Sequence, residues 1–473
     1  MTERLVIAEK PSLARTIARA LDAKPTPRSR NGVGWIETAQ AKVTWCFGHM
    51  LELAPPEHYD PALARWSLET LPIRVSQWAL RPIKSAEPQL DVIRKLLRNA
   101  SEVIHAGDPD REGQMLVDEL LEYLGWSGTT RRVLIRDTTR QGIVRAFREI
   151  RSNAEFAPLY RAALCRARAD WLVGMNLTRA ATKRIGPMCS VGRVQTPTLA
   201  LVVRRDRAIE GHVTQIFYTL AATVATRHWA LTLVHDAPEK RIFDRAEAVA
   251  IADALRGRMV TLAVTEKEEC HAAPLPHTLA SFQKEAEAEH GWSAKVALEQ
   301  LQELYDQQLV SYPRTDCPYL PAEFRKHAAA LADAVVATGL LPEAAPLAGR
   351  WEPRDAVYDD RKVEEHYGLV PTSRMPPEDL APKLKQAWLI VARRFLASLA
   401  PDDRVAVKRV SFVHDGRVFA AKGSVPLNRD TSWRRLYPSE SKDQPLPSHL
   451  RAGDAPQALV RDVDIRQGKT TPP

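Results

Sequence analysis

The chain has 473 residues, 45% of them apolar and 26% charged, with 67 Lys plus Arg against 58 Asp plus Glu and a net charge of +9. Those figures describe an ordinary globular protein of about two to four domains, and the modest basic excess suits a polyanionic partner. No run of eighteen apolar residues exists and "MTERLVIAEKPS" lacks a signal-peptide core, which excludes a membrane-spanning or secreted reading and predicts a cytoplasmic protein.

In chain order, "RLVIAE" is a short β-type run ending at Glu9, and Pro11 suits the first position of a helix carrying Leu13, Ile17 and Leu21 at helical spacing. "SEVIHA" predicts another strand, followed by the loop "GDPDREG" and a helix from about Gln114 with Leu116, Leu120, Leu121 and Leu124 on one face. "RRVLIRD" and "TTRQGIVRAFREI" repeat the strand-then-helix pattern, with Thr139 as the cap. Strands alternating with helices imply a mostly parallel, doubly wound sheet over roughly residues 1–150.

From Ala157 to Arg184 the pattern is helical, and an uninterrupted helix would set Arg161, Arg168 and Arg179 within about 20° of one another. Such a stripe reads either as a solvated face or as a polyanion contact. "FYTLAATVATRHWALTLVH" and "RMVTLAVTEKE" have strand composition. The stretch from Leu275 to Leu309 is helical, helical patterns persist to about Leu399, and strand alternation returns in "RVAVKRVSFVHDGRVFAAKGS", where Asp415-Gly416 predicts a hairpin turn. A β domain interrupted by a helical insertion explains this order. Inside the insertion, "SAKVALEQLQELYDQQLV" runs into "SYPRTDC", which predicts a helix delivering Tyr312 to a loop, with Pro313 stopping the helix and holding the tyrosine outward beside Arg314.

The five cysteines are scattered and form no CxxC pair, so neither a disulfide framework nor a structural zinc site is expected. Carboxylates carry more information. Glu9 ends one predicted strand, and Asp108, Asp110 and Glu112 follow another; in open α/β sheets, strand ends are where ligands collect. Acidic side chains converging there repel unless a hard cation neutralises them, and Mg²⁺ needs only a few carboxylates when phosphate is present. An acidic surface loop is the alternative.

The "GDPDREGQ" run paired with "IAEKPS" resembles the TOPRIM domain. "LVIAEKPSLARTIA", "TWCFGHMLEL", "HAGDPDREGQ", "RARADWLVGMNLTRA", "SVGRVQTPTLALVVRRD" and "SYPRTDC" occur in the order seen in type IA DNA topoisomerases, and look most like the topoisomerase III branch. The resemblance implies a multi-domain toroid: an α/β TOPRIM domain at 1–152, a helical gate segment at 153–212, the first part of a β-rich arch at 213–275, a helical domain with the catalytic tyrosine at 276–400, and the rest of the arch at 401–473. It implies ATP-independent cleavage of one strand through a 5′-phosphotyrosine at Tyr312, strand passage and resealing. Single-stranded or underwound DNA is the expected substrate, a helicase a possible partner, and Mg²⁺ the cofactor.

Residue by residue, the resemblance implies that Lys10 stabilises the transition state, that Glu9 handles the proton of the leaving 3′-oxygen or helps hold metal, and that Asp108, Asp110 and Glu112 bind Mg²⁺. Arg314 would clamp phosphate oxygens as a planar fork. His366 in "EEHYGLVPT" matches a family histidine that is often paired with a second one; Tyr367 stands in that second position. Ser190, Val191, Gly192, Arg193, Val194 and Gln195 match the stretch that grips single-stranded DNA; Arg168, Asn176 and Arg179 match groove contacts, and Trp66 an aromatic on which a base stacks. Relatives run on beyond "GKTTPP", so a truncated copy is expected. Two other readings fit parts of the pattern: a TOPRIM nuclease that hydrolyses DNA without a covalent link, and a DNA-binding remnant with impaired catalysis.

Overall fold

β1 (Arg4–Ala8) lies at the centre of a seven-stranded sheet, and its unbroken apolar run follows from that position. Val6 and Ala8 enter one core while Leu5 and Ile7 enter a second on the opposite face. The computed structural model describes residues 4–472 apart from 137, 139, 237–240, 353, 364–365 and 439–445. The predicted cap Thr139 therefore lies outside the described residues. Contacts divide the chain into two units: Met1–Thr198 with Leu275–Leu340 and Arg354–Phe395, and Leu199–Pro274 with Leu341–Pro353 and Leu396–Pro473.

In the first unit, α1 (Pro11–Leu21) begins on its proline and buries Leu13 and Ile17 in the core shared with Val6. β2 (Thr26–Arg30) and β3 (Val33–Glu37) make an antiparallel edge, and β4 (Lys42–Trp45) runs parallel to β1. β5 (Leu51–Leu53) pairs with β6 (Leu80–Pro82) in a separate ribbon with the short α2 (Pro56–Tyr59) between them. α3 (Glu87–Leu97) covers the second core. β7 (Glu102–Ala106), α4 (Arg111–Tyr123), β8 (Thr129–Arg132), α5 (Arg140–Arg148) and β9 (Arg151–Ser152) complete the order β2-β3-β4-β1-β7-β8-β9.

The parallel, doubly wound expectation describes the middle strands β4, β1, β7 and β8; the edges are antiparallel. Two boundaries also differ. α4 starts at Arg111 rather than near Gln114, because the Asp110 side chain accepts the Gly113 N–H and caps the helix early. β8 stops at Arg132 rather than running through "RRVLIRD": Val133 and Ile135 leave the ladder to fill the core beside α1.

α6 (Ala157–Ile185) is uninterrupted for 29 residues, and α7 (Gln195–Glu210) follows a short loop. In the second unit, β10 (Ile216–Ala225), β11 (Ala230–His235), β12 (Met259–Thr261) and β13 (Ala263–His271) enclose α8 (Arg245–Leu255), a helix the composition did not signal, whose Ala248, Ala252 and Leu255 pack on the sheet. The chain then returns to the first unit through α9 (Leu279–His290), α10 (Ala294–Asp306) and α11 (Arg325–Ala337), and α12 (Pro382–Leu399) follows. β14 (Asp403–His414), β15 (Arg417–Pro426) and β16 (Gln457–Lys469) join the earlier strands in one sheet of order β12-β16-β10-β11-β15-β14-β13. Asp415 and Gly416 both adopt left-handed φ, 46° and 74°, as a two-residue hairpin turn requires. Among the described residues no helix is long and apolar enough to cross a membrane.

Candidate active site

The parallel strands β1 and β7 are neighbours, so Glu9 and the loop after Ala106 emerge side by side. That loop is wound tightly: a Cβ on Gly107 would lie 2.2 Å from the Gly113 carbonyl, and one on Gly113 would lie 2.3 Å from the Asp108 carbonyl and 2.8 Å from Glu9 Oε2. The glycines are thus needed for close approach. The Asp108 N–H donates to Glu9 Oε2 at 2.9 Å, locking the two strand ends together. Burial raises the Glu9 carboxyl to about 8, helped by the charge of Asp108, and burial also raises Asp108. Burial works in the same direction on Asp110, but His366 and the Gly113 N–H outweigh it and hold that carboxyl below its ordinary range.

Beneath this loop lies Arg132, fully buried at the end of β8. Its guanidinium donates to the carbonyls of Gly107 (2.8 Å), Asp108 (2.7 Å) and Val133 (2.7 Å), more weakly to His105 (3.3 Å), and to Gln114 Oε1 (2.8 Å). Desolvation draws its pKa down to about 10. Sequence reading missed this residue; its signal was an arginine alternating with Val133 and Ile135 in an apolar run.

Tyr312 reaches the same place from the far end of the first unit. α10 is capped by Ser293 and ends at Asp306, six residues before the tyrosine, and Gln308 turns the chain through a left-handed φ of 63°. Pro313 therefore does not stop the helix, and the tyrosine is not outward: Tyr312 is 7% exposed. The Ser311 N–H donates to the Val370 carbonyl and Ser311 Oγ to Gly368, pinning this loop to the segment that carries His366. Tyr312 stacks on His366, ring centres 4.1 Å apart and planes 24° apart. Its hydroxyl donates to Asp110 Oδ2 at 3.4 Å, and His366 Nε2 lies 3.8 Å from the same oxygen. Burial, then the charges of Asp108, Asp110 and Glu9, push the phenol above its ordinary pKa; Arg314 opposes them.

Lys10 sits near but is engaged elsewhere, 3.4 Å from Asp306 and over the Tyr305 ring at 4.9 Å, while Tyr305 meets Tyr312 edge-on at 5.4 Å. Arg314 is exposed. Glu112 does not join the other carboxylates: it turns to His49, Nε2 to Oε1 2.7 Å. No three His, Cys, Asp or Glu side chains among the described residues converge as a finished metal cage. The donor set still fits Mg²⁺: Glu9 and Asp108 are desolvated carboxylates, Glu9 raised further by Asp108 and Asp108 by Asp110, which a hard cation would relieve, and Mg²⁺ needs few protein oxygens when water and phosphate complete its shell.

The predicted DNA contacts fall into two groups. Asn176 is committed to the protein: its Oδ1 accepts the Ile73 N–H at 2.6 Å and its Nδ2 donates to the Ile73 and Leu172 carbonyls. Arg179 is buried over the Trp66 ring (5.1 Å) and donates to the Leu63 carbonyl at 2.6 Å, and Arg168 lies over Trp78 at 5.4 Å. The arginine stripe is thus neither solvated nor open at Arg179, because residues 63–78 cover that part of α6. Ser190, Arg193, Val194 and Gln195 are exposed, with Val191 and Gly192 half-buried. Arg193 pairs with Asp170 (2.8 Å), Gln195 Nε2 with Ser190 Oγ (2.9 Å), and the Val191 N–H with Thr178 Oγ1 (3.0 Å), which moors this loop to α6.

A tyrosine buried against strand-end carboxylates of an α/β sheet is an arrangement that suits phosphodiester chemistry, and comparison with known families gives the class. Residues 4–138 match the Toprim domain and residues 154–473 the DNA topoisomerase family, so the chain belongs to the type IA DNA topoisomerases. It is 38% identical to the DNA topoisomerase 3 of Salmonella typhimurium, over 99% of this chain and 75% of that protein. It is 36% identical to the DNA topoisomerase 3 of Vibrio cholerae, over 99% of this chain and 76% of that one. Among solved structures, full-length topoisomerase I from Thermotoga maritima shares the fold, with a TM-score of 0.70 and 20% identity, over 99% of this chain and 72% of that one. Type IA enzymes cleave one DNA strand, pass another and reseal; neither the nuclease nor the inert-remnant reading is favoured.

Proposed function

We propose that Tyr312 is the nucleophile of this topoisomerase and that Glu9, Asp110, Lys10, Arg314 and His366 complete its active site. The observation that carries the reading is the meeting of the Tyr312 hydroxyl with Asp110 Oδ2, 3.4 Å apart across 202 residues of sequence. The phenol oxygen bonds to phosphorus while the bond from phosphorus to the 3′-oxygen breaks, leaving a 5′-phosphotyrosine and a free 3′-hydroxyl. Because the new ester conserves the energy of the old one, resealing needs no ATP.

Two protons move. Asp110, held ionised, accepts the phenol proton; Glu9, lifted to about 8, keeps its own proton at neutral pH and gives it to the departing 3′-oxygen. His366 holds the ring of Tyr312 in place by stacking. Arg314, exposed beside it, offers a bidentate fork to the phosphate, and Lys10 exchanges Asp306 for the same charge. Asp108, with Asp110 beside it, would hold Mg²⁺, and Glu112 would join on leaving His49. When bound, the ion supplies electrostatic alignment of the 3′-hydroxyl end.

The exposed loop Ser190–Gln195 is the surface offered to single-stranded DNA, with Arg193 as its phosphate contact. Trp66, Arg168, Asn176 and Arg179 support this surface from within rather than grip the strand. Single-stranded or underwound DNA is the substrate, and helicase unwinding is the class of reaction that supplies it. Tyr312→Phe removes only the nucleophilic oxygen. The expected result is no covalent adduct on denaturing gels with single-stranded DNA affinity unchanged within about threefold; undiminished adduct from the Phe variant would sink the assignment.

A further inference from the structure

We propose that Tyr305 is a positioning residue for strand cleavage, its ring face seating the Lys10 ammonium beside Tyr312. The inference deepens the reading of Lys10 and Tyr312 given above and rests on it. Lys10 Nζ stands 4.9 Å from the centre of the Tyr305 ring, and that ring meets Tyr312 edge-on with centres 5.4 Å apart. One aromatic side chain therefore touches both the cation and the attacking ring.

Local structure fixes that aromatic. Tyr305 lies in the last turn of α10, among the residues by which the helix buries Ala297, Leu301 and Leu304, and it is itself buried. The chain then turns at Gln308 through its left-handed φ, and Ser311 is pinned to Val370 and Gly368. Tyr312 is thereby brought back against the ring that the helix presents. Lys10 arrives from the other side of the unit's chain order, as the extended residue between β1 and the first turn of α1.

Charge explains why a ring suits this task better than a carboxylate. Glu9 and Asp108 both feel the charge of Lys10, and Asp306 pairs with it at 3.4 Å. A flexible lysine among such groups collapses onto one of them unless something else holds it, and an incoming phosphodiester then has to break that pair. Asp306 is a weak rival: it is exposed and already accepts Gln302 Nε2 at 3.2 Å. The π face of Tyr305 attracts the ammonium without neutralising it, so the contact persists when the cation turns toward a phosphate. Holding a long, rotamer-rich side chain in advance also removes its ordering cost from the transition state. Tyr305 does not compete with Tyr312 as a nucleophile, because burial and then the charge of Asp108 push its phenol well above the ordinary range.

The test reads single-turnover adduct formation on a labelled single strand. Tyr305→Phe keeps the negative ring face, whereas Tyr305→pentafluorophenylalanine keeps the ring outline and reverses its quadrupole. The Phe variant should react within about twofold of the parent and the pentafluoro variant about tenfold more slowly, the size of a partly buried cation–π contact. Strand affinity should stay within about threefold in both, since the contact serves the reaction rather than binding. In a Lys10→Ala background the ratio between the two ring variants should fall to under about twofold. Equal rates for the two ring variants, or a ratio that survives the loss of Lys10, would overturn the proposal and leave Tyr305 as packing against Tyr312. Should the fluorinated chain not fold, Tyr305→Leu against Tyr305→Phe supplies the same ratio. If Lys10→Ala leaves too little adduct to time, acetylation of the Lys10 amine in DNA-free protein decides: the pentafluoro variant should label at least about threefold faster than the Phe variant, and equal labelling overturns the proposal. Adduct formation by Lys10→Ala at the parental rate would fault the reading of Lys10 and the proposal with it, whereas a loss there with equal ring variants faults Tyr305 alone.

Discussion

Replacing Arg132 with Met keeps an apolar stem of similar reach but removes the guanidinium that ties down the acidic loop. Four of its hydrogen bonds are 2.7 to 2.8 Å long and end on Gly107, Asp108, Val133 and Gln114, all from a residue with no solvent access. Each acceptor left unpaired costs about 1–3 kcal/mol, and breaking a buried charged network typically costs about 3–5 kcal/mol in all, because the losses do not add. Part is offset, since the guanidinium no longer has to be desolvated, a cost visible in its pKa of about 10. Local opening of the loop should therefore be easier by about 3–5 kcal/mol, or two to four decades in exchange rate. Hydrogen exchange of the amides from Val103 to Val117 reads this directly, without assuming that the whole chain unfolds in one step. Arg132→Lys, which keeps the charge but not the fork, should fall between the two. Exchange in the Met variant within tenfold of the parent would refute the argument that this arginine holds the acidic loop.

Asp108→Asn with Asp110→Asn should impair rejoining and relaxation more than first cleavage; Asn still caps α4, so unchanged stability with unchanged Mg²⁺ dependence would clear these carboxylates of any part in holding the ion. Glu285, bonded by Arg394 (2.5 Å) and 3.3 Å from His277, is lowered from 4.5 to about 2. A depressed carboxyl stabilises the fold above its unfolded pKa and ceases to do so as pH falls toward 2, so the stability gap between the parent and Glu285→Gln, on the order of 3 kcal/mol at neutral pH, should close between pH 4.5 and 2 in acid-unfolding curves. Arg193→Ala should weaken single-strand binding and flatten its log–log salt slope by about 0.7, the value of one phosphate contact; an unchanged slope would leave Arg193 as the partner of Asp170 alone.

What the sequence settled by itself was local or came through ordered motifs. The strand ending at Glu9, the helix opening on Pro11, the glycine-bracketed "GDPDREG" loop and the left-handed Asp415-Gly416 turn follow from nearest-neighbour sterics and periodicity, which need no knowledge of distant residues. The tertiary structure decided everything that depends on which remote segment arrives alongside. Residues 63–78 convert Arg179 and Asn176 from an open groove into packing; His49 draws Glu112 away from Asp108; the 368–370 segment pins Ser311 while His366 stacks on Tyr312, which the proline after it suggested would stand clear. Arg132 and Arg136 show the same division. Both sit in one apolar alternation, yet one is consumed by backbone carbonyls and the other borders the tyrosine, because strand pairing ends between them and the chain turns off the sheet toward Gln308.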